Sequence, residues 1–157
     1  MLFMYNKIIA PRAFFDQVVV PDCNDVLANP DDVRLVFHAC ASLHHLKEWI
    51  FHAGISGFST LQDFGTDVNA RCPALVTIRE LAVNAKHFAP TTVEQMEVGV
   101  SIATLPYGSG LYGTDLYGRT QQDQVLARTV GGRTEWLPPL IKEGLQFWQE
   151  EFVTRGW

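Results

Sequence analysis

The stretch from Asn29 to Gly54 reads NPDDVRLVFHACASLHHLKEWIFHAG and is the longest helical pattern in the chain. Its apolar residues recur with the 3.6-residue period of an amphipathic helix. Asn29 is a suitable N-cap, Pro30 suits the first helical position, and Gly54 is typical of a C-terminal stop. The pattern predicts a helix over residues 30–53.

The pattern changes period in the second half of the chain. Between Gln95 and Ile102 apolar and polar residues alternate as in a half-buried strand, and Gly131-Gly132 favours a hairpin turn. Further helices are predicted over residues 11–28, with a break or kink at Pro21, and over 60–70, 73–88 and 138–155. Strands are predicted over 95–104, 124–130 and 133–136. This order predicts a mainly α, single-domain protein, an antiparallel helical bundle with a small β-ribbon inserted before the last helix.

The composition restricts the class of protein. The chain has 157 residues, of which 47% are hydrophobic, enough for one core. A formal net charge of −5 does not favour nucleic acid as a partner. No stretch approaches the roughly 20 apolar residues that cross a bilayer, and the N-terminus does not match a signal peptide. Three widely spaced cysteines are expected to be reduced thiols, so we expect a cytoplasmic protein without a membrane partner.

Four of the five histidines lie in the predicted helix over residues 30–53. His38, His45 and His52 are successive sevens and fall within about 40° of one another on a helix, together with Trp49. A solvated polar face explains this stripe without any function. Alternatively the stripe faces a cleft or a partner, and these four residues are the candidate binding residues.

Metal binding is a further hypothesis for the same helix. Residues seven apart are separated by roughly 10 Å along the axis, so two members of the stripe cannot share a metal ion. Glu48 is four residues from both His44 and His52 and forms a two-point site with either of them. The duplicated Glu-x-x-His helices of di-iron bundles are absent, and no metal ligand is assigned.

The candidate catalytic residues lie in the predicted helix over residues 73–88. Glu80, Asn84 and His87 share one face at i, i+4 and i+7. An ordinary polar face accounts for this pattern. The functional alternative is that Glu80 orients His87, which then acts as an acid, base or ligand toward a group held by Asn84.

Residues 106–118 contain four glycines and three tyrosines, a composition typical of an irregular loop. Tyr112 is a candidate binding residue, because tyrosine provides a rigid contact area with a polar tip. A plain surface loop is the alternative. No Gly-Lys-Ser/Thr follows the glycines, so they do not form a P-loop. The cofactor is therefore unknown, and so is any small-molecule ligand.

Two resemblances bear on function. The helix end Asn84-Ala85-Lys86-His87-Phe88, with residues 43–49 before it and 145–148 after it, is similar to small uncharacterised bacterial and phage proteins in which Asn-x-x-Lys-His-Phe ends a helix. Only Ala85 separates Asn84 from Lys86 here, one residue fewer than in that pattern. The same helix distantly resembles HEPN-type helical bundles, which place an arginine shortly before a histidine and cleave RNA with the pair. Here seven residues separate Arg79 from His87, so this resemblance implies a diverged copy.

The leading hypothesis is a small binding or interaction protein, for which the first resemblance implies a phage, mobile-element or defence context. Aromatic residues crowd the C-terminal end and favour a homo-oligomer, in the simplest case a homodimer. They are Trp136, Phe147, Trp148, Phe152 and Trp157. The alternatives are a diverged HEPN-like nuclease or hydrolase that uses His87 with Glu80 and Asn84, and a metal-binding helical protein.

Overall fold

The computed structural model describes residues 10–86, 93–104 and 121–157. Its helices are α1 (Pro11–Phe14), a π-helical turn (Phe15–Val19), α2 (Val20–Ala28), α3 (Val33–His52), α4 (Leu61–Arg71), α5 (Ala74–Lys86) and α6 (Leu137–Arg155). Strands β1 (Met96–Thr104), β2 (Gln121–Thr129) and β3 (Thr134–Trp136) form one antiparallel sheet in the order β1-β2-β3. The predicted mainly α fold with a ribbon before the last helix is confirmed. None of the helices in these ranges is long and apolar enough to cross a membrane.

The first helical segment accommodates Pro21 without a break. Proline lacks a backbone N–H, and its ring collides with the carbonyl of residue i−4 in a regular α-helix. The turn Phe15–Val19 before it adopts π geometry, in which the N–H of Val20 donates to the carbonyl of Phe15. The disruption expected at Pro21 is therefore a π-turn that directly precedes the α2 segment.

Helix α3 begins later than the sequence pattern predicts. Asn29 ends α2 instead, because its N–H donates to carbonyls in the last turn of that helix. Asp32 is the N-cap of α3, since its carboxylate accepts from the N–H groups of Arg34 and Leu35. The prediction of Asn29 as N-cap and Pro30 as first helical residue is wrong. The reason is that two cap-forming residues lie close together and the first of them serves the preceding helix.

Burial matches the alternation predicted for β1 only in part, because Met96 and Val98 pack against the core whereas Val100 is 50% exposed. The second strand is longer than predicted. Met96 lies opposite Thr129 and Thr104 lies opposite Gln121, so β1 and β2 pair along their full lengths. This register starts β2 at Gln121 rather than at the predicted residue 124. In the predicted hairpin turn, Gly132 has a φ of +88° and donates its N–H to the carbonyl of Thr129.

One hydrophobic core joins the helices and the inner face of the ribbon. Helix α3 is central and packs against α2, α5 and α6, while β2 packs against α6. The largest fully buried side chains include Trp148, Phe64, Phe152, Leu43 and Leu46. This arrangement leaves the outer face of α3 available to solvent.

All three cysteines are free and buried, as reduced thiols would be: Cys23, Cys40 and Cys72. Burial raises the pKa of Cys40 to about 12, and it also raises the pKa values of the other two thiols. The thiols therefore stay protonated at neutral pH and pack as small apolar groups.

The C-terminal aromatic residues pack within the chain. Trp148 and Phe152 are 1% and 2% exposed. Phe152 stacks on Phe15, and Trp157 contacts Phe64 edge to face. Their density is thus accounted for by the core of a single chain, and the homo-oligomer stays a prediction.

Candidate functional site

The histidines of α3 lie in two environments. His38, His45 and His52 are exposed on the outer face of the helix. His44 is half-buried on a different side, toward α5. The histidine stripe therefore borders solvent.

The two predicted binding residues at the C-terminal end of α3 line a concave surface. Trp49 and His52 border a groove of about 380 Å³, together with Pro11, Glu48 and Ala53. The start of α1 forms one wall and the last turns of α3 form the other. Its volume lies within the range of small-ligand sites. We call this surface the Trp49 groove.

The aromatic wall of the groove is held in place by stacking. The rings of Phe14 and Trp49 are nearly parallel, with an interplanar angle of 2° and centroids 4.7 Å apart. Glu48 Oε2 lies 3.3 Å from Nδ1 of His45, so the predicted binding residue His45 is next to a groove residue but does not itself line the groove. His38 lies farther along the helix and does not line the groove.

Asn84, a predicted catalytic residue, joins α5 to the start of β1. Its Nδ2 donates to the carbonyl oxygens of Glu80 and Glu94, at 2.8 Å and 3.0 Å. Its Oδ1 accepts from the N–H of Met96 at 3.0 Å. The amide thus makes three of its four possible hydrogen bonds, and two of the three connect α5 to the residues at the start of β1.

Glu80 is also engaged with the ribbon. Its carboxylate accepts from the guanidinium of Arg133, which lies between β2 and β3. The structure therefore brings Glu80 and Asn84 together on the side of α5 that contacts the ribbon. His87 and Tyr112, the other predicted site residues of this half of the chain, lie outside the described residues.

A second concave surface, which the sequence pattern did not single out, lies where α3, α4, α5 and α6 meet. The polar side chains that line it are His44, Lys47, Asn69, Arg79 and Trp148. We call it the inner cleft. Burial, followed by the charge of nearby Lys47, lowers the pKa of His44 to about 4. His44 is therefore a neutral hydrogen-bonding group at neutral pH.

The sequence offers only a partial signal for the inner cleft. His44 and Lys47 are three residues apart on α3, which places them on one side of the helix. Arg79 comes from α5, and only the packing of α5 on α3 brings it to the same cleft. The periodicity of α3 therefore identifies one wall of the cleft, but it cannot identify the residues of α5 that form the opposite wall.

Metal ligation receives no geometric support within the described ranges, where no group of three or more His, Cys, Asp or Glu side chains is placed to hold an ion. Glu48 is hydrogen-bonded to His45, and it shares the groove wall with His52. The carboxylate of Glu48 and the imidazole of His52 are therefore groove residues, and His45 contacts Glu48 beside the groove.

The similarities to small bacterial and phage proteins and to HEPN-type bundles stay predictions. No family model, no curated protein and no solved structure matches this chain.

Proposed function

We propose that this protein acts by binding a basic segment of a partner polypeptide in the Trp49 groove. One observation carries the proposal: an indole ring, a carboxylate and an imidazole border a single groove, at Trp49, Glu48 and His52. The proposal retains the binding function inferred from the sequence and adds the chemistry of the partner.

The side chain of arginine or lysine matches this surface. A cation over the face of an indole is stabilised by about 0.5–1 kcal/mol at an exposed site. The carboxylate of Glu48 supplies an acceptor and a counter-charge for the same cation. Pro11 and Ala53 provide apolar contact for the aliphatic part of the side chain.

The charge of the whole chain favours the same kind of partner. The formal net charge is −5, and an acidic protein attracts basic segments and repels acidic ones over the range that salt permits. Electrostatic complementarity of this kind raises association rates and suppresses wrong partners. A basic peptide therefore fits both the groove and the molecule around it.

The enzyme hypothesis has weaker support. Glu80 and Asn84 make hydrogen bonds that join α5 to the ribbon, and a catalytic role would require these side chains to leave their partners. Within the described residues, Trp49 and His52 line a groove that is open to solvent. We therefore propose binding without chemistry.

Calorimetric titration with two capped peptides of equal length tests the proposal. One peptide has the sequence Gly-Arg-Gly-Arg-Gly, and the other has glutamate in place of arginine. We expect binding of the arginine peptide alone, with an affinity that falls as salt is added.

Two variants and a control locate the binding. Glu48→Gln and Trp49→Ala are each expected to weaken binding about fivefold, which corresponds to about 1 kcal/mol. Glu97→Gln, on the exposed side of β1, removes the same charge elsewhere and should leave the affinity unchanged. Equal binding of the two peptides, or full affinity in both groove variants, would contradict the proposal.

A further inference from the structure

The inner cleft contains two cations that have no anionic partner among the residues that the structure describes. Lys47 of α3 and Arg79 of α5 are both half-buried and both line the cleft. Neither Lys47 nor Arg79 takes part in any of the ion pairs found in the described part of the chain. Burial and the nearby charge of Arg79 lower the pKa of Lys47. Two like charges in a partly desolvated cleft destabilise the unliganded chain.

Trp148, which lines the same cleft, carries a buried donor that has no partner within the described ranges. Trp148 lines the cleft and is only 1% exposed. Within the described ranges its indole Nε1 donates to no acceptor. Leaving a buried N–H unsatisfied costs about 1–3 kcal/mol, and native proteins rarely retain such a group without a reason. An acceptor from outside the chain would satisfy it.

The remaining polar residues of the cleft suit an anion. His44 is uncharged at neutral pH, because its pKa is about 4, and Asn69 offers an amide N–H group. Neither aspartate nor glutamate is among the described residues that line the cleft. The charge of Glu48 acts to raise the pKa values of both His44 and Lys47, but Glu48 does not line the cleft and is hydrogen-bonded to His45. The cleft is therefore locally basic in an acidic molecule.

The size of the cleft limits what enters it. Its volume is about 10 Å³, which is about the space that one water-sized group requires. A single oxygen atom of a larger anion fits, and the remainder of the ligand then lies at the mouth.

We propose that the inner cleft is a phosphate-binding site, in which Lys47 and Arg79 neutralise the ligand and the Trp148 indole N–H donates to its buried oxygen. Arginine is well suited to phosphate because its guanidinium presents parallel N–H donors, and lysine adds a point charge. The ligand class comprises free phosphate and phosphate monoesters. This site is separate from the Trp49 groove and takes a ligand of the opposite charge.

Titration of the intact protein with inorganic phosphate at constant ionic strength tests the site. We expect a saturable shift of the Trp148 indole N–H signal in nitrogen-15 spectra and a rise in Tm with phosphate concentration. Sulfate at the same ionic strength and acetate serve as comparison anions. Methyl phosphate, used as the monoester probe, ranks free phosphate against esters, and either order supports the site.

Variants of the two cations give opposite effects with and without phosphate. Lys47→Met and Arg79→Met are each expected to lower phosphate affinity about tenfold and to raise the Tm of the unliganded protein, because each removes one of two repelling charges. Lys142→Met, at an exposed position of α6, is the matched control and should change neither quantity. Trp148→Phe should lower the affinity while leaving the charge unchanged.

A glycine substitution provides an independent route if a cation variant fails to fold. A Cβ added at Gly65 would lie 3.0 Å from Nζ of Lys47, so Gly65→Ala displaces the ammonium without removing it. We expect a severalfold loss of phosphate affinity. An unshifted Trp148 signal in the wild type, an unchanged affinity in Lys47→Met, or equal responses to acetate and phosphate would overturn the proposal. The first of these results would assign the cleft to a bound water molecule.

Discussion

At the scale of single residues, the two sides of α3 show how burial decides what a histidine does. His44 and His45 are neighbours in the chain, yet His44 is half-buried in the inner cleft and His45 is exposed beside Glu48. Burial, followed by the charge of Lys47, lowers the pKa of His44 to about 4. Adjacent residues of one type therefore have different chemistry because they face different surroundings.

The low pKa of His44 predicts a loss of stability in mild acid. The unfolded chain takes up a proton near the ordinary pKa of 6.5, whereas the folded chain takes it up near 4. The stabilising contribution is therefore complete above about pH 6.5 and declines as the pH falls toward 4. Urea denaturation across this range should show a smaller decline in His44→Gln than in the wild type. His38→Gln, at an exposed position, is the control, and equal declines in all three proteins would contradict the assignment.

Replacing the buried amide of Gln124 should stabilise the protein. This β2 residue is fully buried, and both polar atoms of its amide lack partners among the described residues. Methionine has a similar length and no amide to desolvate, so Gln124→Met should raise the free energy of unfolding by about 1–2 kcal/mol. Gln149→Met makes the same change at an exposed position and should have little effect. A loss of stability in Gln124→Met would indicate that the amide is satisfied.

At the scale of secondary structure elements, the contact of α5 with the ribbon depends on polar side chains. Asn84 bonds the first residue of β1, and Glu80 bonds Arg133 beyond the end of β2. These contacts explain a polar face on α5 that the sequence also allows to be catalytic. The face is needed because a strand begins against the helix, where backbone groups require partners.

Removal of the Asn84 amide should weaken the contact between α5 and the start of β1. Asn84→Ala loses three hydrogen bonds, and we expect a decrease of about 2–3 kcal/mol in the free energy of unfolding. Asn84→Asp keeps the acceptor for Met96 and should fall between the two proteins. Hydrogen exchange at the Met96 amide should accelerate in Asn84→Ala. Lys86→Ala, exposed on the same helix, is the control, and an unchanged stability in Asn84→Ala would show that these bonds contribute nothing.

The elements themselves were largely predictable from local pattern. The apolar period of α3 and α6 reflects one buried face, which is a property of neighbours in the chain. The alternation in β1 indicates a strand, although Val100 of that strand is exposed. The start of α3 was not predictable in this way. Asn29 and Asp32 are both good caps, and the choice between them depends on where α2 ends.

At the scale of the whole molecule, α3 separates two surfaces of different chemistry. Trp49 and His52 border the outer groove, while His44 and Lys47 border the inner cleft. The first surface was accessible to sequence reasoning because its main residues lie on one helix. Pro11 and Arg79, which complete the two surfaces, come from distant parts of the chain. Their positions follow from tertiary packing, and no local pattern contains them.

The most direct test of the central claim is a nitrogen-15 NMR titration of the protein with the capped arginine peptide. Binding in the Trp49 groove predicts a saturable shift of the Trp49 indole signal and of the backbone signals of Glu48 and Ala53, with the Trp148 indole unchanged. The Trp148 ring serves as an internal control because it lies in the inner cleft. An unshifted Trp49 signal, or shifts confined to other parts of the molecule, would contradict the assignment of the groove as the binding site.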